Sequence, residues 1–156
     1  MEIKKAGILT LLMVAFLLVI NVSSVFAGKP LAIHIEVEEA IGVGALEPFD
    51  ASGPAVDDGV VCETGKVEDL SITSNENQGP FYTVWAHKRF YCDDGSGTFD
   101  VKMVVQLDKI TNATTARWRL FGGTGDYIKL RGQGSLVGIP IIPGVSIFDI
   151  YDGQVH

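Results

Sequence analysis

The chain has 156 residues with 12 basic and 19 acidic side chains, which gives a formal net charge of −7 at neutral pH. Such a charge repels nucleic-acid phosphates and anionic membrane surfaces, so the composition argues against both as partners. The length is enough for one domain that buries a hydrophobic core.

The N-terminus has the order of a secretory signal peptide. Lys4 and Lys5 precede an uncharged apolar run over 6–20, and a more polar stretch then ends at Ala27. A retained membrane anchor is the alternative, but the run is shorter than the about 20 residues that a spanning helix needs. We predict cleavage after Ala27. The product is a single domain of residues 28–156, secreted or periplasmic, with no stable membrane association.

Beyond the signal peptide, period-two alternation and β-branched or aromatic runs recur between turn residues. This pattern predicts an all-β domain. The expected strands are Leu31–Val37, Val60–Glu63, Val67–Ser74, Phe81–Tyr91, Thr98–Asp108, Thr115–Phe121, Leu130–Val137 and Val145–Tyr151. About eight short strands suit a small closed antiparallel β-barrel, which leaves no exposed sheet edge. The proline- and aspartate-containing segment 44–59 is predicted to be a surface loop.

Alternation also predicts which side chains face the core. The odd-numbered residues of strands 31–37 and 98–108 are apolar and should point inward. In the strand 115–121, Ala116, Trp118 and Leu120 should likewise oppose two arginines. Strand 81–91 is ambiguous because both of its faces are mixed. Trp85, His87 and Arg89 share one face, and an inward position for them would give the barrel a polar interior.

Cys62 and Cys92 both lie in the exported part of the chain, where an oxidising compartment allows them to pair. A redox or metal-binding pair is the alternative. It lacks the Cys-x-x-Cys spacing, and no histidine lies near either residue. We predict a disulfide, which requires the segment around Cys62 to lie against the end of the strand that leads into Cys92.

The segment 93–97, Asp-Asp-Gly-Ser-Gly, is predicted to be a hairpin turn because its glycines supply positive φ angles. Calcium binding is the alternative, but the spacing does not match the Asp-x-Asp-x-Asp-Gly pattern. No metal site and no cofactor are predicted.

His34, His87 and His156 have no nucleophile in a recognisable elbow nearby, so a hydrolytic triad is unsupported. Asn112-Ala113-Thr114 matches the glycosylation acceptor sequence.

The stretch 118–134, WRLFGGTGDYIKLRGQG, follows the glycine-rich hairpin at 92–99. Together they resemble the allene oxide cyclase barrel-like group, which includes plant cyclases, dirigent proteins and secreted bacterial barrels. The resemblance is closest to the bacterial barrels. It is carried by a Gly-Gly-Thr-Gly-x-Tyr/Phe-x-x-x-Arg-Gly element, matched by Gly122, Gly123, Thr124, Gly125, Tyr127, Arg131 and Gly132. It implies an eight-stranded antiparallel barrel in which this element is a structural turn and strand.

The resemblance also suggests classes of function. The plant cyclases hold a hydrophobic epoxide inside the barrel with a carboxylate and polar residues, and dirigent proteins orient phenoxy radicals. Neither active-site set maps onto this chain. Glu36, Glu38 and Glu39 lie on the first strand, where Glu36 and Glu38 alternate with the apolar face and are expected in solvent.

Three hypotheses follow. The first is a non-catalytic barrel that binds a small hydrophobic or aromatic molecule, with Trp85, Phe99, Met103 and Trp118 as candidate lining. The second is a cyclase-like or dirigent-like isomerase, which needs His87 and Arg89 in the lumen. The third is an extracellular structural or interaction protein, such as a homo-oligomer, that uses the apolar segment 140–143 as a contact.

Overall fold

The computed structural model describes residues 28–76 and 79–156, so the predicted signal peptide lies outside the described residues. Eight antiparallel strands form a closed barrel in chain order, with the last strand paired to the first, and this confirms the predicted fold class. No helix among the described residues has the length and apolar character needed to cross a membrane. The strands are β1 (Leu31–Ala40), β2 (Leu46–Ser52), β3 (Thr64–Glu76), β4 (Phe81–Cys92), β5 (Thr98–Asp108), β6 (Thr114–Gly123), β7 (Gly132–Ile142) and β8 (Ser146–Val155).

The predicted alternation is confirmed in three strands. The odd-numbered residues of β1 from Ile33 onward are buried, as are those of β5 from Phe99 to Val105. In β6 the side chains of Ala116, Trp118 and Leu120 are also buried. Successive side chains of a strand point to opposite faces, so these residues all belong to the inner wall of the barrel.

The prediction of a surface loop over 44–59 is wrong. This segment contains β2 and a short helix, α1 (Pro54–Asp57), whereas 60–63, which was predicted to be a strand, is irregular. The buried residues of β2 are Phe49 and Ala51. Two alternating apolar positions next to Pro48 are too few to indicate a strand from the sequence. Pro48 fits because the pairing of β2 with β1 stops at Phe49, and a residue without an N–H donor can lie beyond that ladder.

The two ends of the barrel differ. We call the end where β1 begins the closed end, because the connection from β2 to β3 covers it. In that connection Ala55 and Val61 are buried, and Cys62 forms a disulfide with Cys92 at the end of β4, with a Cα–Cα distance of 5.9 Å. The predicted pairing is thereby confirmed. The other end, where β1 ends, is the open end.

Aromatic rings fill the interior next to the closed end. Phe90 and Phe99 stack with centroids 4.7 Å apart, and Phe49 packs edge-on against both rings. Tyr151 and Tyr127 add further edge contacts to Phe90 and Phe99, respectively. Offset and edge contacts of this kind add to the stabilisation that burial itself provides. This half of the barrel is therefore a packed core.

The disulfide should contribute strongly to stability because it ties the covering segment to β4. For a loop of this separation, 30 residues, the chain-entropy model gives about 3–4 kcal/mol. We expect the double variant Cys62→Ser/Cys92→Ser to melt at a markedly lower temperature than the wild type, with unchanged far-ultraviolet circular dichroism. Reduced wild-type protein should melt like the variant. Two free thiols in the oxidised wild-type protein would contradict the pairing.

Candidate functional site

Four charged side chains occupy inward-facing positions in the middle of the barrel. Glu39, Asp69, Lys88 and Asp149 come from β1, β3, β4 and β8, and all four are buried. Each takes a place in the strand alternation that an apolar residue would normally fill. We call these four residues the charged layer, and it lies between the aromatic core and the open end.

Lys88 is the centre of the charged layer. Its Nζ atom donates a hydrogen bond to Glu39 Oε1 at 2.5 Å and lies 3.1 Å from Asp69 Oδ1. Burial opposes the charged form of a lysine, but the attraction of Glu39 and Asp69 outweighs it and raises the pKa of Lys88. The lysine is therefore a fixed positive charge inside the barrel, matched by two acidic partners.

Asp149 differs from the two other acids of the layer because it makes no ion pair among the described residues and instead hydrogen-bonds to Glu39. Burial, together with the negative charge of Glu39, raises the pKa of Asp149 to about 8. Burial also raises the pKa of Asp69, against the attraction of Lys88. Asp149 is thus protonated at neutral pH and can donate a proton or a hydrogen bond, whereas Glu39 is held as the partner of Lys88.

Three buried polar atoms near this level lack a hydrogen-bond partner among the described residues, namely Asp69 Oδ1, Asp149 Oδ1 and the Tyr151 hydroxyl, and of these Asp69 Oδ1 has the ion-pair contact with Lys88. Burial raises the pKa of Tyr151 well above its usual value, so the hydroxyl keeps its proton. Buried polar groups are normally hydrogen-bonded, and exceptions in native proteins often belong to functional sites. Asp149 also borders open space, so its unpaired oxygen marks the charged layer as a place where a polar group of a ligand can bind.

A cavity of about 390 Å³ extends from the charged layer to the open end. Its volume lies within the usual range for small-molecule sites. Glu39, Asp69, Lys88 and Asp149 form its polar floor, and the walls are largely apolar. The wall residues include Ile41, Ile72, Tyr82, Val84, Ala86, Met103, Val105, Leu107, Leu136, Pro140 and Ile147. We call this space the lumen cavity.

Large apolar side chains are exposed around the mouth of the lumen cavity. Ile110, at the tip of the β5–β6 connection, is 85% exposed, and similar residues occur in the other connections of this end. They are Ile41, Val43, Phe81, Ile141, Ile142 and Val145. A concentration of apolar surface at one end is typical of a ligand or partner site. The structure thus places Ile141 and Ile142 of the apolar segment 140–143 in solvent, whereas self-association through it stays a prediction.

The predicted pocket residues separate into two groups on opposite sides of the wall. Trp85, His87 and Arg89 lie on the outer face, because Ala86, Lys88 and Phe90 are the inward residues of β4. The orientation that the sequence left open is thus the outward one, and His87 and Arg89 do not supply the lumen residues that the isomerase hypothesis needs. Both side chains instead hold Asp100, with distances to its oxygens of 2.7 and 2.9 Å from Arg89 and 3.3 Å from His87.

The other three predicted pocket residues point inward. Phe99 belongs to the aromatic core, and Met103 lines the lumen cavity. Trp118 lies flat on a glycine pair, Gly134 of β7 opposite Gly153 of β8, and its Nε1 donates a hydrogen bond to the Ser135 carbonyl at 2.9 Å. A Cβ atom at Gly134 would come within 2.5 Å of the indole, so the two glycines make room for this ring.

The glycine element forms the connection between β6 and β7 and carries no chemistry of its own. It consists of the end of β6, a 3₁₀ turn at Gly125–Tyr127 and the start of β7. A Cβ atom at Gly123 would lie 1.7 Å from the Thr98 carbonyl oxygen, so this close approach requires glycine. The Tyr127 hydroxyl lies 2.7 Å from Ser96 Oγ, which ties the element to the β4–β5 hairpin.

The segment 93–97 forms the predicted hairpin turn between β4 and β5. Asp94 Oδ1 accepts hydrogen bonds from the backbone N–H and the hydroxyl of Ser96, and Gly95 has a φ of 78°. Within 28–76 and 79–156, no group of three His, Cys, Asp or Glu side chains is placed to hold a metal ion.

Sequence reasoning missed the charged layer, although a signal for it is present. Glu39 continues the odd-numbered inward set of β1, two residues after Val37, and Lys88 lies two residues before Phe90. Asp149 similarly falls between Ile147 and Tyr151. A charged residue in phase with an apolar face is the pattern that would have found these positions.

Comparison with protein-family models, with curated proteins and with solved structures finds no match for this chain. The geometry of the lumen cavity and the chemistry of its floor are therefore what indicates a function for this chain.

The Asp149 carboxyl predicts a loss of stability as the pH rises. Its pKa is about 8 in the folded protein and near the ordinary aspartate value of 3.8 in the unfolded chain, so between these values only the folded state binds the proton. The unfolding free energy should fall by up to about 1.4 kcal/mol per pH unit and level off once the carboxyl is ionised.

Urea unfolding at about pH 6 and about pH 9 tests this dependence. We expect the wild type to unfold at a lower urea concentration at the higher pH. The variant Asp149→Asn cannot ionise and should show a clearly smaller decrease. Other titrating groups, such as His34, are present in both proteins, so the difference isolates Asp149. Equal decreases in the two proteins would contradict the assignment.

Proposed function

We propose that this protein is a secreted barrel that binds a small, uncharged hydrophobic molecule in the lumen cavity. The observation that carries the proposal is the combination of apolar walls with a buried polar floor at the end of a closed barrel. An eight-stranded barrel is wide enough either to be filled by its own side chains or to hold one small ligand. Here the aromatic core fills one half, and the other half is hollow.

The floor favours a neutral ligand. Lys88 already contacts two carboxyl groups, so no unpaired positive charge remains for an anionic headgroup. Asp149 keeps its proton at neutral pH and its Oδ1 has no partner, so the uncharged carboxyl offers a hydrogen-bonding group to a ligand hydroxyl. An apolar body with one such hydroxyl matches both the walls and the floor. The exposed apolar mouth gives this kind of molecule a route from solution into the cavity.

The proposal is tested with three ligands that share one alkyl chain, namely decanol, decanoate and decylamine, by calorimetric titration at neutral pH. We expect decanol to bind most tightly, because the charged headgroups would have to be desolvated without a free partner. The variant Val84→Trp, which adds bulk on the inner face, should weaken binding by at least about tenfold, equivalent to about 1.4 kcal/mol.

Val104→Trp is the matched control, since this valine lies one strand away on the outer face. It should leave the affinity for decanol within about twofold of the wild type, a negligible free-energy change. The amide spectrum of each variant establishes that it is folded. Failure of the wild-type protein to bind any of the three ligands would contradict the proposal. Preferential binding of decanoate would contradict the inference that the cavity floor favours a neutral ligand.

Acid–base isomerisation is a second candidate, favoured by the protonated Asp149 beside Glu39 on the cavity floor. One carboxyl can donate a proton to a ligand oxygen while the other accepts one from carbon, so that the net change is an isomerisation. The resemblance to the allene oxide cyclase barrel-like group points to the same class of ligand, a hydrophobic epoxide.

Incubation with a racemic hydrophobic epoxide separates the two candidates. Simple binding returns the epoxide unchanged. Acid–base catalysis yields an isomer enriched in one enantiomer, and both Asp149→Asn and Glu39→Gln should abolish this product. Retention of the activity in both variants would exclude this mechanism.

A further inference from the structure

A second depression lies on the outer wall of the barrel, on the opposite side of the sheet from the lumen cavity. It has a volume of about 860 Å³ and crosses six consecutive strands, from β3 to β8. Neighbouring strands are about 4.8 Å apart, so the depression extends for roughly 24 Å. We call it the outer groove. Its outward-facing side chains are Ser71, Thr73, Trp85, His87, Lys102, Val104, Arg117, Arg119, Gln133 and Gln154.

Three cations are concentrated in the outer groove. Lys102 of β5 pairs directly with Arg119 of β6, and Arg117 lies two residues from Arg119 on the same face. Like charges placed directly opposite each other across two strands destabilise a sheet. The chain as a whole carries a net charge of −7, so this local excess of positive charge is not a consequence of composition.

The cations have no acidic partner within the residues that the structure describes. Their cross-strand neighbours are His87, Val104, Gln133 and Ser135, which leaves Asp100 as the nearest carboxylate along β5. Asp100 is already held by both Arg89 and His87. Lys102 lies 4.6 Å from the centre of the Phe121 ring, a contact that leaves its charge uncompensated. The groove is therefore electrostatically complementary to an anion.

An aromatic platform and neutral polar groups complete the groove. Trp85 is 45% exposed, although tryptophan normally buries most of its surface. On either side of it and of the cations lie hydroxyl groups of Ser71 and Thr73 and the side-chain amides of Gln133 and Gln154. An indole offers its face to the C–H side of a sugar ring, and hydroxyl and amide groups match sugar hydroxyls.

We propose that the outer groove binds an acidic polysaccharide, with Trp85 stacked on a sugar ring and Lys102, Arg117 and Arg119 paired with carboxylate groups. The groove presents one exposed indole, Trp85, with neutral polar groups on either side, and this favours an acidic polysaccharide over a single-stranded nucleic acid. A single-stranded nucleic acid is usually bound by several stacking aromatics. Arginine suits carboxylates in particular, because its guanidinium can donate two parallel hydrogen bonds.

The test uses an oligomer of galacturonate, with a neutral glucan oligomer and oligothymidylate as comparison ligands. Binding is measured by tryptophan fluorescence and calorimetry at low and at moderate salt. Trp118 is 3% exposed and lies inside the barrel, so the fluorescence change should come from Trp85 and disappear in Trp85→Phe. We expect the galacturonate oligomer to bind most tightly and its affinity to fall as salt is added.

Arg117→Gln/Arg119→Gln should weaken galacturonate binding by at least about tenfold, because each arginine makes charge-assisted hydrogen bonds. Lys66→Gln/Lys129→Gln is the matched control: it removes the same charge from exposed positions outside the groove and should change the affinity by less than about twofold. Val84→Trp should also leave galacturonate binding intact, since the lumen cavity is a separate site.

Three results would overturn the proposal. They are the absence of galacturonate binding at low salt, equal losses in the two charge variants, and tighter binding of oligothymidylate than of galacturonate. The first would show that the groove is only a solvated basic surface. The second would show that net charge and not the groove determines the affinity.

Discussion

The buried ion pairs of Lys88 constrain the whole barrel. A lysine that is removed from water and loses its partners costs several kcal/mol, so Lys88 must meet Glu39 and Asp69 whenever the protein folds. These residues come from β4, β1 and β3, and their contact fixes how the three strands are placed around the lumen. A shift of one residue in β4 would turn Lys88 outward, break its contacts with Glu39 and Asp69, and put the longer and bulkier side chain of Arg89 on the inner face.

The charged layer divides the interior into two halves with different roles. Towards the closed end, rings of phenylalanine and tyrosine pack against each other beneath a segment held by the Cys62–Cys92 disulfide. Towards the open end, the same inner wall encloses the lumen cavity. The core therefore supplies rigidity on one side of the charges, and the apolar mouth supplies access on the other. A ligand site built on rigid strands in this way is held in a defined geometry.

How much the sequence predicts depends on how regular the alternation is. In β5, five apolar residues alternate with mostly polar ones, and the inner face follows directly. In β2, two buried side chains beside Pro48 give too short a pattern, so the alternation does not predict a strand there. In β4, both faces contain aromatic and charged residues, so alternation alone does not say which face is buried. Which face of β4 is buried depends on Glu39 and Asp69, the partners of Lys88, and these two residues lie elsewhere in the chain.

The same limit explains the placement of the candidate residues. Pairing of the cysteines follows from their number and compartment, whereas the outer groove depends on the register that places Lys102 opposite Arg119. Trp85 was expected among ligand-binding residues inside the barrel, and its position on the outer wall gives it a different proposed partner. The charged residues of the lumen were missed because charge is ordinarily taken as a sign of the solvent face.

The most direct measurement of the central claim, that the lumen cavity binds the hydrophobic ligand, uses Met103. Of the three methionines in the chain it is the one among the residues that the structure describes, and its side chain borders the lumen cavity. With methyl-labelled methionine, the account predicts that decanol shifts the Met103 resonance and that Val84→Trp removes this shift. Binding of decanol with an unchanged Met103 resonance would place the ligand elsewhere and contradict the account.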